Sequence, residues 1–407
     1  MEHSARNTAK RFLEKTVSLL VPVIIAGTFF SVKISAQELE EVSVTPLPEQ
    51  SVRAFVEENS NKNPAVWVTG NQILRRKNGH TQTLQQFKPQ SDRVRKSYDN
   101  LIVQSVSTDS GTSGTIRWIV YSRDGVQKAE FSRDFPRDAL MPQLYNDGMA
   151  QHFAIVDPWE WTVTFCQQSS ELKTVQLPAE HVKHIYETGY VADWSADGTT
   201  FAFAASFDSP ESQERQVTFL LFGNQGNRLQ QKVFSIGYVS GLAISDDAQQ
   251  LMLSGYGLHD RKPEKQYYLL SSDGGILHSG NGIALGAKFF GKNQAIVWGR
   301  RFIDAYEDIR TEPTWHQSFS SDKKTMCLDA TNTDNGTIVL RGTSTPKDGE
   351  YVFTNPKVIW YNTNGIELDS FQFKNENIYQ PFLHFNPANN TLRVGTAEKI
   401  HTLKLVQ

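Results

Sequence analysis

The chain has 407 residues, with 41 Lys and Arg against 44 Asp and Glu, and aromatic residues make up 11% of it. A formal net charge of -3 gives no general attraction to nucleic acid, and the aromatic and charged content is that of a folded chain. Two cysteines exclude a disulfide scaffold and a multi-thiolate metal centre.

Residues 1–36 read as an address. Arg6, Lys10, Arg11 and Lys15 precede an uncharged, mostly apolar run over 16–32, the order of a basic n-region and an apolar h-region. Ala36 is a small residue suited to precede a cut, so cleavage between Ala36 and Gln37 is the preferred reading. The alternative is an uncleaved anchor, because 17 residues lie at the lower edge of a bilayer span, although Pro22 and Gly27 interrupt it. In both cases the remainder is exported: periplasmic or secreted, or membrane-anchored with the bulk outside the cytoplasm and the membrane touched only through this segment. Residues 37–64 then hold six Glu, two basic residues, Pro46 and Pro48, and read as an acidic flexible spacer.

From residue 65 to the C-terminus, short alternating apolar stretches are separated by turn residues and no amphipathic helix is evident, so the expected class is all-β. Two repeats run through this region. The first is a strand, a polar turn and a second strand: Ala192 to Phe203, Leu242 to Leu253 and Leu383 to Val394, with weaker copies near Leu144, Lys288 and Asp334. Anchored on Tyr145, Trp194, Ile244, Phe290, Ala330 and Phe385, its steps are 49, 50, 46, 40 and 55 residues, a mean of 48. The second is a hairpin with a Gly or Asn turn, at Val120 to Val126, Leu221 to Gly226, Leu270 to Ile276 and Trp360 to Ile366. Asp-Gly and Asn-Gly tolerate the positive φ that tight hairpins need.

A four-stranded unit of this length is a propeller blade. The phrase Asp193-Trp-Ser-Ala-Asp-Gly198 resembles the turn phrase of TolB-type and tryptophan-aspartate-repeat propellers. That resemblance covers about residues 65–407 and implies a fold, not an activity. The expectation is a single β-propeller of seven blades over 70–135, 136–186, 187–236, 237–281, 282–322, 323–375 and 376–407. Six or eight remain compatible, because 70–100 and 300–322 are irregular. The last blade lacks a strand, and Ala65 to Thr69 is expected to close the ring by supplying it.

Catalytic signals are absent, and no cofactor or metal is expected. Gly286 to Lys292 has the glycine and lysine spacing of a phosphate loop, but Asn293 replaces the required Ser or Thr and a strand follows where a helix is needed. His181 and His184 would point to opposite faces of a strand. Asp124, Asp197 and Asp273 precede Gly and are explained as turn residues. Cys166 and Cys327 fall three blades apart, too far for a disulfide, and are expected as buried free thiols. The basic stretch from Arg75 to Lys96 reads as a solvated strand edge, with contact to acidic polymers as its alternative. Asn335 and Asn389 head glycosylation-like triplets that coincide with turns.

Strands alternate in direction, so the connections between second and third strands share one end of a propeller with the connections between blades. Those at 207–215, 256–264 and 344–351 are long and charged, and loops on a rigid scaffold carry recognition. Arg215, His259, Arg261 and Tyr351 are the candidate contacts, with Trp159 and Trp161 as aromatic anchors unless they pack between blades. The expected function is an exported, non-catalytic adaptor or assembly factor with a protein partner. Alternatives are a hydrolase or lyase acting on sugar or peptide through residues converging on the channel, and a carbohydrate-binding propeller, which predicts one equivalent aromatic per blade.

Overall fold

In the computed structural model, the structure describes residues 37–406 apart from short stretches at 47–53, 58–63, 70–71, 78–79, 87, 89–91, 109–111, 123, 138, 179–188, 210–214, 260–261, 320–324 and 348–349. The described residues are all-β, as expected. They form eight antiparallel sheets in chain order, each built on a four-stranded path. We number them by their residues: I (54–86), II (92–136), III (143–176), IV (190–234), V (238–281), VI (284–318), VII (325–372, with 377–378 added) and VIII (383–406 with 38–46).

Sheets III to VIII coincide with the six blades expected after residue 135. The first expected blade, 70–135, is instead divided between sheets I and II. Sheet I begins at Ala54, inside the segment read as a spacer, and its strand His80–Gln86 is polar and mostly exposed, so it shows no apolar alternation. Ala65 lies in Pro64–Val68, the second strand of sheet I, and does not close the ring. The closing strand is Glu38–Pro46, which pairs antiparallel with Lys399–Val406 and completes sheet VIII. The closure is thus N-terminal, as expected, but comes from the acidic segment. That strand exposes nearly every side chain and buries only Leu39, so charge does not disqualify it from an outer edge.

The core lies between successive sheets. Trp161, Phe165, Trp194, Phe201, Phe203 and Phe222 fill the layer between III and IV, and comparable clusters join every neighbouring pair from I–II to VII–VIII. At the inner edge the series returns on itself: Gln380, just ahead of sheet VIII, accepts from Lys96 N at 3.0 Å and donates to Val94 O at 3.1 Å on sheet II. The first strands of sheets II to VI surround a cavity of about 690 Å³.

The recurring turn has a physical basis. Ser195 Oγ donates to Asp197 Oδ1 at 2.6 Å and accepts from Thr200 N at 3.1 Å, while Asp197 Oδ1 accepts from Thr199 N at 3.0 Å. Ser245 and Asp247 repeat the arrangement. Asp273 is bonded by Ser271 and Gly275 in the same way. Gly125, Gly198, Gly274 and Gly365 all take φ between 69 and 75°, so the Asp-Gly pairs are turn chemistry. Gly286 to Lys292 is the first hairpin of sheet VI, where the Trp298 indole lies 2.6 Å from the position of a Cβ on Gly286. Cys166 and Cys327 are buried free thiols in separate core layers, and no disulfide joins them. His181 and His184 lie outside the described residues, as does Ala36; Gln37 directly precedes the closing strand.

Candidate functional site

Two of the connections read as long loops are hairpin arms. Gln250–His259 pairs with Lys262–Ser271 down to His259 opposite Lys262, and Gly336–Lys347 pairs with Glu350–Tyr361 down to Lys347 opposite Glu350. Backbone pairing continues toward the tips, in the second arm across a register shift between Arg341 and Thr343, and charged side chains suit exposed strand ends.

The expected site residues that the structure describes share that end of the molecule but are spread over sheets III, IV, V and VII. Arg215, on sheet IV, binds the Asp208 carboxylate with Nε at 2.6 Å and Nη2 at 3.2 Å, and its guanidinium lies 4.4 Å from the Tyr238 ring centre. It thereby ties sheet IV to sheet V, where Tyr238 stacks on Tyr256 at 5.3 Å. His259 is the last residue of its strand on sheet V, and Arg261 lies outside the described residues. Tyr351, on sheet VII, is 69% exposed. Trp159, on sheet III, is 48% exposed, in a turn whose Trp159 and Glu160 amides donate to Asp157 Oδ1. Trp161 is 1% exposed, donates through Nε1 to Pro178 O at 2.6 Å and meets Phe203 edge-on at 6.0 Å. It packs between sheets and is not a surface anchor.

What the same end does assemble is a groove of about 490 Å³ between sheets V and VI, lined by Lys265, Gly282, Ile283, Leu285, Arg300, Arg301 and Phe302. Gly282 and Ile283 belong to the connection between the sheets, and Arg300 and Arg301 to the tight turn between the second and third strands of sheet VI. Lys265, Arg300 and Arg301 are exposed and make no ion pair among the described residues. Leu285, 37% exposed, Ile283 and Phe302 supply the apolar wall. Cations beside apolar surface suit a partner offering a carboxylate next to an apolar side chain. The sequence signal for this groove is the Arg300-Arg301 pair, which lies in a short turn and not in one of the long connections.

A second constellation lies on the two outer strands of sheet VI. His316 Nδ1 is 2.5 Å from Asp304 Oδ1, and His316 Nε2 is 2.7 Å from Ser318 Oγ. Asp304 is 4% exposed and also accepts from Tyr267 OH at 2.5 Å, which in turn meets Tyr306 OH at 2.5 Å. Burial and the neighbouring Asp304 charge raise the Tyr267 hydroxyl far above its ordinary range, so it stays a donor. The network locks sheet V to sheet VI. Its serine, base and carboxylate also stand at the separations of an activated nucleophile. No alternating hydrophobic pattern announces it, because its residues are 12 and 2 positions apart along a hairpin.

The chain is similar to the crystal structure of the C-terminal WD40 domain of Sif2, with a TM-score of 0.51 and 11% identity over 92% of this chain and 100% of that one. The WD40 domain of coronin from Toxoplasma gondii aligns with a TM-score of 0.47 and 10% identity, covering 92% of this chain and 90% of that one. No protein-family model and no curated protein sequence matches. The likeness to the Sif2 domain shows a WD40-like propeller fold.

Proposed function

We propose that the chain is an exported, non-catalytic propeller that binds another protein in the cell envelope, as an adaptor or assembly factor. The observation that carries this reading is the groove between sheets V and VI, where Lys265, Arg300 and Arg301 flank Ile283, Leu285 and Phe302. A rigid stack of sheets holds the groove, so little ordering cost accompanies binding. The basic and apolar run of residues 1–36 supports export. WD40-like folds host many activities, so the reading rests on the groove and not on the fold.

Capture from envelope material, with cross-linking and mass spectrometry, tests it. The wild-type chain recovers a partner cross-linked near Leu285, and the Arg300→Glu, Arg301→Glu double variant loses it while remaining folded. A wild-type chain that stays a partnerless monomer overturns the proposal, as does a variant that captures equally well. The same spectra report whether Gln37 is the mature N-terminus.

Ser318, His316 and Asp304 favour a second reading, a hydrolase on the outer strands of sheet VI and not in the central channel. A fluorophosphonate probe then labels Ser318 in the wild type and not in Ser318→Ala. Absence of labelling in the wild type removes this reading.

A further inference from the structure

The basic stretch from Arg75 to Lys96 is not one solvated edge. Its last two members, Arg95 and Lys96, lie on Asp92–Ser97, the innermost strand of sheet II, and line the central cavity. Asp193 faces the same cavity from sheet IV, Asp246 from sheet V and Lys288 from sheet VI. Tyr98, at φ 53°, reaches across this end and donates its hydroxyl to the Trp194 carbonyl.

Two of the three cations have described partners. Lys288 Nζ is 2.7 Å from Asp329 Oδ1, and Lys96 Nζ lies 4.9 Å from the Phe382 ring centre. Arg95 differs. Its guanidinium carbon is 5.5 Å from the Tyr145 ring centre, yet its nitrogens have no hydrogen bond and no ion pair among the described residues. Asp193 lies within electrostatic reach of Arg95 but not at ion-pair distance, and it accepts only from the Trp194 amide, at 2.9 Å, among the described residues. A guanidinium remains charged even when enclosed, so an unmatched fork faces a cavity of about 690 Å³.

We infer that the central cavity is a binding site for a small organic carboxylate, held by the Arg95 guanidinium with Asp193 opposite. A planar fork of N–H donors matches a carboxylate in two parallel hydrogen bonds. The volume is that of a typical small-molecule pocket. Charge narrows the class. Asp246 and the Asp329 that already holds Lys288 leave one of the three cations Arg95, Lys96 and Lys288 unmatched once Asp193 carries a proton, so the cavity favours a monoanion over a phosphate dianion. Burial pushes the Asp193 carboxyl up to about 7, against the lowering effects of the Trp194 amide and Arg95, so near neutrality it has a proton to donate to a ligand oxygen.

Calorimetric titration of the full-length chain with glucuronate, and separately with glucose and inorganic phosphate, tests the assignment. Glucuronate binds and glucose does not. Arg95→Gln weakens glucuronate binding at least about tenfold, the scale of one lost charge-assisted pair. Arg95→Lys, which keeps the charge and loses the fork, weakens it to an intermediate degree. Thermal melts of both variants confirm that they fold. Gluconate, an open-chain monocarboxylate, is a second probe if the sugar ring does not fit. The inference falls if neither carboxylate binds the wild type at millimolar concentration, if Arg95→Gln binds as well as wild type, or if phosphate binds in their place.

Discussion

Two tryptophans separated by one residue divide the molecule between surface and core. Trp159 is 48% exposed in a turn, whereas Trp161 is 1% exposed and takes φ 56°, a left-handed conformation that a bulky residue adopts only when its surroundings impose it. Here the imposing contacts are the Nε1 bond to Pro178 O and the Phe203 edge. Trp161→Ala removes a buried indole and leaves a cavity, and costs about 3–5 kcal/mol. Trp159→Ala costs less than that, because about half of this indole is already in water. Urea titrations with unchanged m-values measure both. The sequence places both tryptophans in one aromatic phrase, and neither type nor spacing tells them apart, because the left-handed turn at Trp161 aims one indole inward and leaves the other half exposed. At this same scale the Asp-Gly turns were readable from sequence, since their chemistry is local.

The closing strand carries a charged latch. His401, on the last strand, has a side chain only 5% exposed, with Nδ1 2.5 Å from Glu41 Oε1 on Glu38–Pro46 and Nε2 2.8 Å from Glu376 Oε2. Both ring nitrogens donate only in the imidazolium. Burial opposes that charge, but the bonds to Glu376 and Glu41 outweigh it and raise the His401 pKa. Burial likewise works against the Glu376 charge, and bonds from His401, Thr396 and Lys399 bring its pKa down to about 2. The signs follow. The His401 contribution is complete below its unfolded value of about 6.5 and is lost as pH rises through the raised folded value; the Glu376 contribution is present above its unfolded value and is lost as pH falls through about 2. Amide exchange of residues 38–46, corrected for intrinsic rates, therefore loses protection as pH rises above neutrality, and His401→Gln removes most of that dependence. Parallel profiles for the two proteins would rule the latch out. Glu41 reads in sequence as one of several spacer acids, and its partner is 360 residues away.

For the whole molecule, closure decides which edges stay covered. Deleting residues 38–46 leaves the Lys399–Val406 strand with an unpaired edge. The deletion lowers Tm, by about 1–2 °C for each kcal/mol lost in a domain of this size, and promotes edge-to-edge association visible in sedimentation velocity. An unchanged Tm with a monodisperse monomer would show that the strand is dispensable. The groove between sheets V and VI and the central cavity also belong to this scale. Each draws residues from sheets that are consecutive or several sheets apart, and neither leaves a motif in any one segment.

The sequence by itself determined the all-β class, the four-stranded repeat over sheets III to VIII, the Asp-Gly turns and the separation of the two cysteines. These follow from period-two alternation and local turn chemistry, both of which are written within a few residues. Only the tertiary structure decided that 54–86 is a sheet of its own, that Glu38–Pro46 and not Ala65 to Thr69 completes the last sheet, that Trp161 is core, and that Arg95 faces a cavity. The left-handed backbone at Trp161 turns that indole inward, and the other three have their reason in the pattern itself. An exposed polar edge strand carries no apolar pattern, and an inner strand of a ring shows its polar side chains to an enclosed space that sequence cannot distinguish from open solvent.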